Sequence, residues 1–290
     1  MPNLREEIVP MKESNFSYSS TLTTVLVAAI FLMSIPLLVQ GKKPDRYDKG
    51  TIFSFHFDEG NGKVAKDFSG NENHAKLGGN KEPKWVKGPE LHLGTALAFS
   101  NANFIEIPES QKLDTDDEIT FETWVNLDGL NSNWSTFYSK HGQGAGAGYH
   151  WIYIYKGSGK LAYQYANGAK YTTHTADVKW EFGKWSHVAI THKINGKKGG
   201  KIQWYIDGNL FHQIEHKDQA LKVVGGKASL GTYQSNPALD RYALDGKLDE
   251  VRLSPRIKTK QEIGESMRGL AVQPSHKLAS SWGSIKHKFQ

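Results

Sequence analysis

The chain has no cysteine in 290 residues. That excludes a disulfide framework, a thiolate nucleophile and a Cys-ligated zinc. Also missing are a Gly-x-Ser-x-Gly elbow and a His-Glu-x-x-His pair, so neither a hydrolase nucleophile nor a zincin helix is signalled. No long stretch has a 3.6-residue apolar period, which removes helical bundles and coiled coils. The net charge is +6, yet the lysines cluster at 42–49, 193–201 and 256–260, in turns and linkers rather than along one face. Nucleic-acid surfaces interleave basic and aromatic residues. Only the 193–204 hairpin approaches that pattern, so no nucleic-acid partner is expected.

What the chain does have is period-2 alternation and aromatic rings, with eight Trp, twelve Tyr and thirteen Phe. In residues 183–214, Trp185, His187, Ala189 and Thr191 alternate with Ser186, Val188 and Ile190. Asn195-Gly196 breaks that strand. A second alternation, Ile202, Trp204 and Ile206, runs into Asp207-Gly208, a dipeptide that tolerates the positive φ of a tight turn. The same reading predicts strands at about 51–57, 74–78, 96–99, 103–107, 118–126, 136–140, 149–155, 161–165, 171–175, 185–193, 201–206, 209–215, 228–232 and 244–253. Turn signals such as 60–62, Asp128-Gly129 and Gly225-Gly226 separate them. Many short strands so punctuated predict a two-sheet antiparallel sandwich. Within it Phe121, Trp124, Trp185 and Trp204 are expected in the core, and Asp207 as a turn former.

The Trp-strand, turn, strand-Asp-Gly, strand order of 183–214 resembles the laminin-G-like, concanavalin A-like lectin/glucanase domains. Three further segments follow that family's order: 53–79 with its Asp-x-Ser-Gly-Asn-x-Asn-His turn, 94–110, and the closing strand with a short helical turn at 244–263. Where the family commonly has an acidic or amide residue after the Phe of the second segment, this chain has Ser100. The resemblance implies an all-β, jelly-roll sandwich over residues 51–263, with 264–290 as a C-terminal tail. It also implies a binding module outside the cytoplasm.

Ahead of the sandwich the chain divides into a polar lead (1–21), an apolar segment (22–41) and a linker (42–50). Residues 22–39 form an uncharged run that, as a helix, reaches about 27 Å, the short end for crossing a bilayer. It reads as a signal peptide cut after Gly41 or as an uncleaved membrane anchor, and Met11 is an alternative start. Lys42, Lys43, Arg46 and Lys49 would by the positive-inside rule keep the C-terminal side in the cytoplasm. The family resemblance implies the opposite: secreted or membrane-anchored, with the sandwich extracytoplasmic. A cysteine-free exported domain is ordinary in bacteria, and a bacterial source is the expectation.

The fold also hosts glycoside hydrolases, whose catalytic carboxylates lie on one strand as Glu-x-Asp-x-x-Glu, on one face at the short separation a retaining mechanism requires. This chain lacks that motif, and the side chains of its Asp249-Glu250 pair are expected on opposite faces. A non-catalytic module is therefore expected, with a divergent glycoside hydrolase as the minor alternative. In 66–74, Asp67, Ser69, Asn71 and Asn73 fall at every second position, a spacing by which a curled loop surrounds Ca²⁺; Asp249 would complete the set. The same residues are equally the commonest turn formers. For ligand contact, Trp151, Tyr153 and Tyr155 share one face of a strand, with Tyr163, Tyr165 and Tyr171 on the strands that follow. Flat amphipathic rings suit the apolar faces of sugars, so a glycan or glycosylated surface is the expected partner. The alternatives are that these rings belong to the core, or that the domain is structural or protein-binding.

Overall fold

The computed structural model describes residues 50–89, 94–115, 117–143, 148–167, 170–194, 199–217, 223–234 and 240–268. The apolar segment expected to form an N-terminal helix, and most of the 264–290 tail, lie outside them. No helix among the described residues is long and apolar enough to cross a membrane.

Alternating side chains set the long central strands. In β7 (Glu118–Leu127), Ile119, Phe121 and Val125 turn inward while Glu122 and Trp124 turn outward. β7 pairs on one side with β12 (Trp185–Ile194) and on the other with β16 (Gly246–Ser254). β12 leads outward to β13 (Gly200–Ile206) and β14 (Asn209–His216), and β16 to β5 (Thr95–Phe99) and β4 (Lys84–Lys87). β1 (Phe53–Phe55) also pairs with β16, so the first sheet has eight strands. A bulge at Asp249/Glu250, with Glu250 at φ +49°, bends β16 at the point where its neighbour changes from β5 to β1.

The second sheet is also eight-stranded, in the order β11 (Lys170–Ala176), β10 (Lys160–Asn167), β9 (Tyr149–Tyr155), β8 (Trp134–His141), β15 (Ala228–Leu230), β6 (Phe104–Ile107), β3 (Ala75–Gly78) and β2 (Val64–Ala65). All pairings in both sheets are antiparallel. The expected jelly-roll sandwich is therefore present. Every predicted strand has a counterpart, and β2 and β4 are additions. The one described α-helix, α1 (Lys260–Met267), starts from a capping box between Thr259 and Glu262 and runs past the expected helical turn.

The core lies between the sheets and holds Phe53, Phe55, Phe99, Phe121, Phe137 and Trp204, all but excluded from water. Phe121 stacks on Tyr138 across the layers, centroids 5.4 Å apart. Each such ring contributes on the order of 1.5–3 kcal/mol by leaving water. Trp124 and Trp185, expected in the core, are instead half-buried. Trp124 stands on the outer face of the first sheet, where its indole N–H donates to the carbonyl of Met267 (3.2 Å), so α1 covers it. The same sheet carries two buried ion pairs, Lys258–Glu122 and Arg252–Glu250, and the fully buried His187 opposite Trp124; Lys258 also donates to Ser266 of the helix (3.0 Å).

One end of the core is polar. His150 bonds to Thr115 (2.7 Å) and Tyr163 (2.8 Å), and Tyr163 reaches His192 (3.1 Å). His192 in turn bonds to His216 (3.0 Å), whose other ring nitrogen meets Tyr165 (3.1 Å). Burial holds His150 at a pKa of about 3 and His192 well below the usual histidine range, so both rings are neutral.

Candidate functional site

The outer face of the second sheet carries the candidate site. Along β9, His150, Ile152 and Ile154 point into the core, so Tyr149, Trp151, Tyr153 and Tyr155 must point out. The register then fixes the next strand. Tyr163 lies opposite Ile152 and Tyr165 opposite His150, while Ala162 and Gln164 face Tyr153 and Trp151. Tyr163 and Tyr165 are therefore core residues, not ligand contacts. The sequence did carry a signal for this: both share phase with Leu161, and the outward positions between them are Ala162 and Gln164. Tyr171 faces outward on β11, opposite Ala166.

Four of the six expected contact residues are thus brought together, though not equally to solvent. Trp151 and Tyr153 stack on each other at 4.0 Å and are nearly covered, whereas Tyr155 is 45% and Tyr171 69% exposed. The cover comes from residues the alternation could not find. Tyr233 packs on Trp151 at 4.5 Å, and Tyr242 stacks on Trp134 at 5.3 Å; both tyrosines lie in the connection between β15 and β16, which has no period to read. Trp134 was findable, because it begins the strand predicted at 136–140. Among these rings Trp134, Tyr149, Tyr233 and Tyr242 are half-buried, which leaves a shelf of partly open aromatic faces around Tyr155 and Tyr171. Polar groups order it: the Tyr149 hydroxyl donates to Gln164 Oε1 (2.9 Å), the Gln164 amide donates to Thr173, and the Trp151 indole N–H donates to Thr136 (3.0 Å). Burial raises the phenol pKa of Tyr149 and Tyr153, so both remain O–H donors at physiological pH.

At one end of this shelf a cleft of about 310 Å³ opens between three loops: residues 100–102, residues 131–133, and the segment holding Asp240, Arg241 and Asp245. Asp240, Arg241 and Tyr242 form a single 3₁₀ turn. Its first two residues line the cleft, and its third belongs to the ring cluster, with the Arg241 guanidinium 5.0 Å from the Tyr242 centroid.

The turn considered for calcium is held together by the protein itself. Asp67 Oδ1 accepts from the N–H groups of Ser54 and Ser69 (2.9 Å each), and Oδ2 from the Ser69 hydroxyl (2.7 Å) and the Asn73 N–H (2.9 Å). Asn71 and Asn73 direct their amide NH₂ groups, not their oxygens, at the carbonyls of Thr51 and Ile52. Asp249 accepts from the N–H of Glu250 on β16. Amide donors facing inward and an Asp67 carboxylate with both oxygens already engaged do not fit a cation that requires six to eight oxygens. The turn-forming reading accounts for these contacts. Asp207 is likewise a turn former: at φ +50° it accepts from the N–H of His187 (2.8 Å).

The model of the concanavalin A-like lectin/glucanases superfamily, of laminin G type, matches residues 99–264, more than half of the chain. The chain belongs to this superfamily. Among solved structures, this concanavalin A-like domain is similar to domain 4 of AbnA, a GH43 extracellular arabinanase from Geobacillus stearothermophilus, in complex with arabinotriose. Identity is 19% and the TM-score 0.56, over 75% of this chain and 98% of that one. It is similar, too, to the receptor binding domain of botulinum neurotoxin D (14% identity, TM-score 0.56, 77% of this chain and 53% of that). The binding domain of Paraclostridial Mosquitocidal Protein 1 gives 14% identity and a TM-score of 0.56, over 76% and 52%. The chain spans about half the length of these two binding domains. At such identities the likeness is one of fold. No curated protein matches the chain.

Proposed function

We propose that this concanavalin A-like domain is a non-catalytic module that binds carbohydrate, free or on a glycosylated surface, through the outer face of its second sheet. The observation that carries the reading is the cluster of eight outward rings, Trp134, Tyr149, Trp151, Tyr153, Tyr155, Tyr171, Tyr233 and Tyr242, on one side of a rigid sheet. A sandwich needs rings between its layers, but it gains little from gathering them on the solvent side unless something covers them. Open faces of Tyr155 and Tyr171 beside hydroxyl and amide groups offer an apolar platform with polar edges, the chemistry a pyranose presents in complement. Several structural neighbours are binding domains, one in complex with arabinotriose and another from a toxin whose cell entry depends on ganglioside molecules. Their likeness supports the class of ligand without naming it. The proposal places the domain outside the cytoplasm, with residues 22–39 as cleaved signal or membrane tether.

Calorimetric titration of the full chain against a polysaccharide panel, with and without Ca²⁺, tests this. Binding at one site is expected, indifferent to chelation and weakened about tenfold or more by Tyr155→Ala or Tyr171→Ala with unchanged melting temperature. Silence against every glycan would refute it. Attention would then turn to protein binding, for which the exposed Leu210 and Phe211 on edge strand β14 provide an apolar contact.

A further inference from the structure

We infer that the cleft beside the shelf is a second subsite of the same surface, and that it reads the hydroxyl edge of a neutral oligosaccharide whose neighbouring unit stacks on the rings. The inference rests on the glycan reading and adds the class of sugar and its direction. Two chain junctions join cleft and shelf. Asn133 lines the cleft while Trp134, the next residue, belongs to the ring cluster; Asp240 and Arg241 line it while Tyr242 stacks on Trp134. A ligand that leaves the ring faces at Trp134 or Tyr242 therefore passes directly into the cleft, and one sugar unit cannot occupy both.

The groups that meet there are matched to vicinal hydroxyls. The floor is apolar, formed by the buried Ala102, Ala243 and Leu244. Above it, Asp240 presents a carboxylate and Arg241 a guanidinium, both exposed. Among the described residues neither side-chain group is engaged in a hydrogen bond or ion pair, and the Arg241 guanidinium lies over the Tyr242 ring. Asp245, by contrast, is held by the Asn131 amide, and Ser132 donates to the Asp240 carbonyl (2.6 Å), so the frame is fixed while the two charged tips remain available. A sugar hydroxyl both donates and accepts, and a carboxylate beside a guanidinium satisfies both capacities of adjacent hydroxyls at once. The volume, about 310 Å³, is at the small end for a ligand site and suits a terminal unit rather than a branched chain.

Charge decides between neutral and acidic sugars. Asp240 and Asp245 both line the cleft against the single cation of Arg241. A uronic or sialic carboxylate placed there would meet two like charges. Asn101 and Ala102 are the two central residues of the β5–β6 turn, closed by the Asn103 N–H to the Ser100 carbonyl (3.1 Å), and their φ of +52° and +55° are those such a turn requires.

The test is titration of the full chain with a neutral monosaccharide, disaccharide and longer oligosaccharides from whichever glycan it binds, and with acidic counterparts. Wild type is compared with Asp240→Asn, Arg241→Gln and Tyr155→Ala. Both charged residues are exposed, so melting temperatures should not move. Expected results are a gain in affinity from mono- to disaccharide and about a tenfold loss of that gain in Asp240→Asn and Arg241→Gln. Tyr155→Ala should weaken every ligand alike. If oligosaccharides bind while the two cleft variants match wild type, the subsite is refuted and the glycan reading stands. Preference for acidic chains, or tighter binding by Asp240→Asn, also overturns it. No binding of any sugar by wild type overturns both readings together.

Discussion

Replacing Asp67 by alanine is expected to cost about 4 kcal/mol of folding stability. The carboxylate accepts from three backbone N–H groups, those of Ser54, Ser69 and Asn73, in residues that are nearly or fully buried. Each buried donor left without a partner costs roughly 1–3 kcal/mol. The fourth donor, the Ser69 hydroxyl, retains the carbonyl of Ile52 at 3.3 Å and adds little. Three such donors at the lower middle of that range give the figure, and for a domain of this size it corresponds to a fall of about 8–16 °C in melting temperature. Asp67→Asn should cost about half as much. Its oxygen can keep the Ser54 and Ser69 N–H groups, but its NH₂ then faces the N–H of Asn73, donor against donor. The assay is urea unfolding of wild type and both variants, with and without calcium, where the midpoint should fall at unchanged slope. A loss below about 1 kcal/mol for the alanine variant would refute the reasoning. A wild-type midpoint that rises with calcium would refute it as well, because the turn would then be a cation site after all.

Two further outcomes follow from groups buried on the first sheet and in the core. His187 is fully buried, neither ring nitrogen has a hydrogen-bond partner, and burial lowers its pKa to about 3; His150 is lowered equally. Each ring binds a proton more readily when unfolded, so stability falls as the pH drops from 6.5 towards 3, by about 1.4 kcal/mol per ring at pH 5.5. His187→Leu should be near neutral in stability at pH 7.5 and better than wild type at pH 5.5 by about that amount, read from paired denaturation curves; an unchanged acid sensitivity would contradict it. Glu122→Gln should cost about 3–5 kcal/mol by stranding the Lys258 ammonium, while Glu122→Leu combined with Lys258→Met should recover most of the loss. A double-mutant cycle with no coupling would show that the pair is not an energetic unit.

Strand positions were legible because each long strand buries one face, so period 2 is written into its residues. β2 and β4 were not: the first has two residues, and the second, Lys-Trp-Val-Lys at a sheet edge, has no fully buried position to create a pattern. For the site, the face shared by Trp151, Tyr153 and Tyr155 follows from their own strand. The error on Tyr163 and Tyr165 came from treating ring content rather than phase as the guide; Leu161 and Gln164 already marked which side was core. Trp124 misled for a different reason. It is outward by parity, and what half-buries it is α1, an element that returns from residue 260 onward. Tyr233, Asp240, Arg241 and Tyr242 had no signal at all, since loop residues meet only through the fold that brings three connections to one end of the sandwich.

The relay of Thr115, His150, Tyr163, His192, His216 and Tyr165 gives the interior a sense of direction. A neutral imidazole has one N–H and one lone pair, and in the neutral His150 and His192 both ring nitrogens are engaged. Once the tautomer of one of these two rings is chosen, the other must follow through the Tyr163 hydroxyl, so between Thr115 and His216 the line runs wholly one way or wholly the other. It passes from the second sheet to the first at Tyr163 and His192, and returns at His216 and Tyr165. The two layers are thereby bound to one shared ordering of hydrogen atoms, in which a change at His150 on β9 is registered in the ring of His216 on β14.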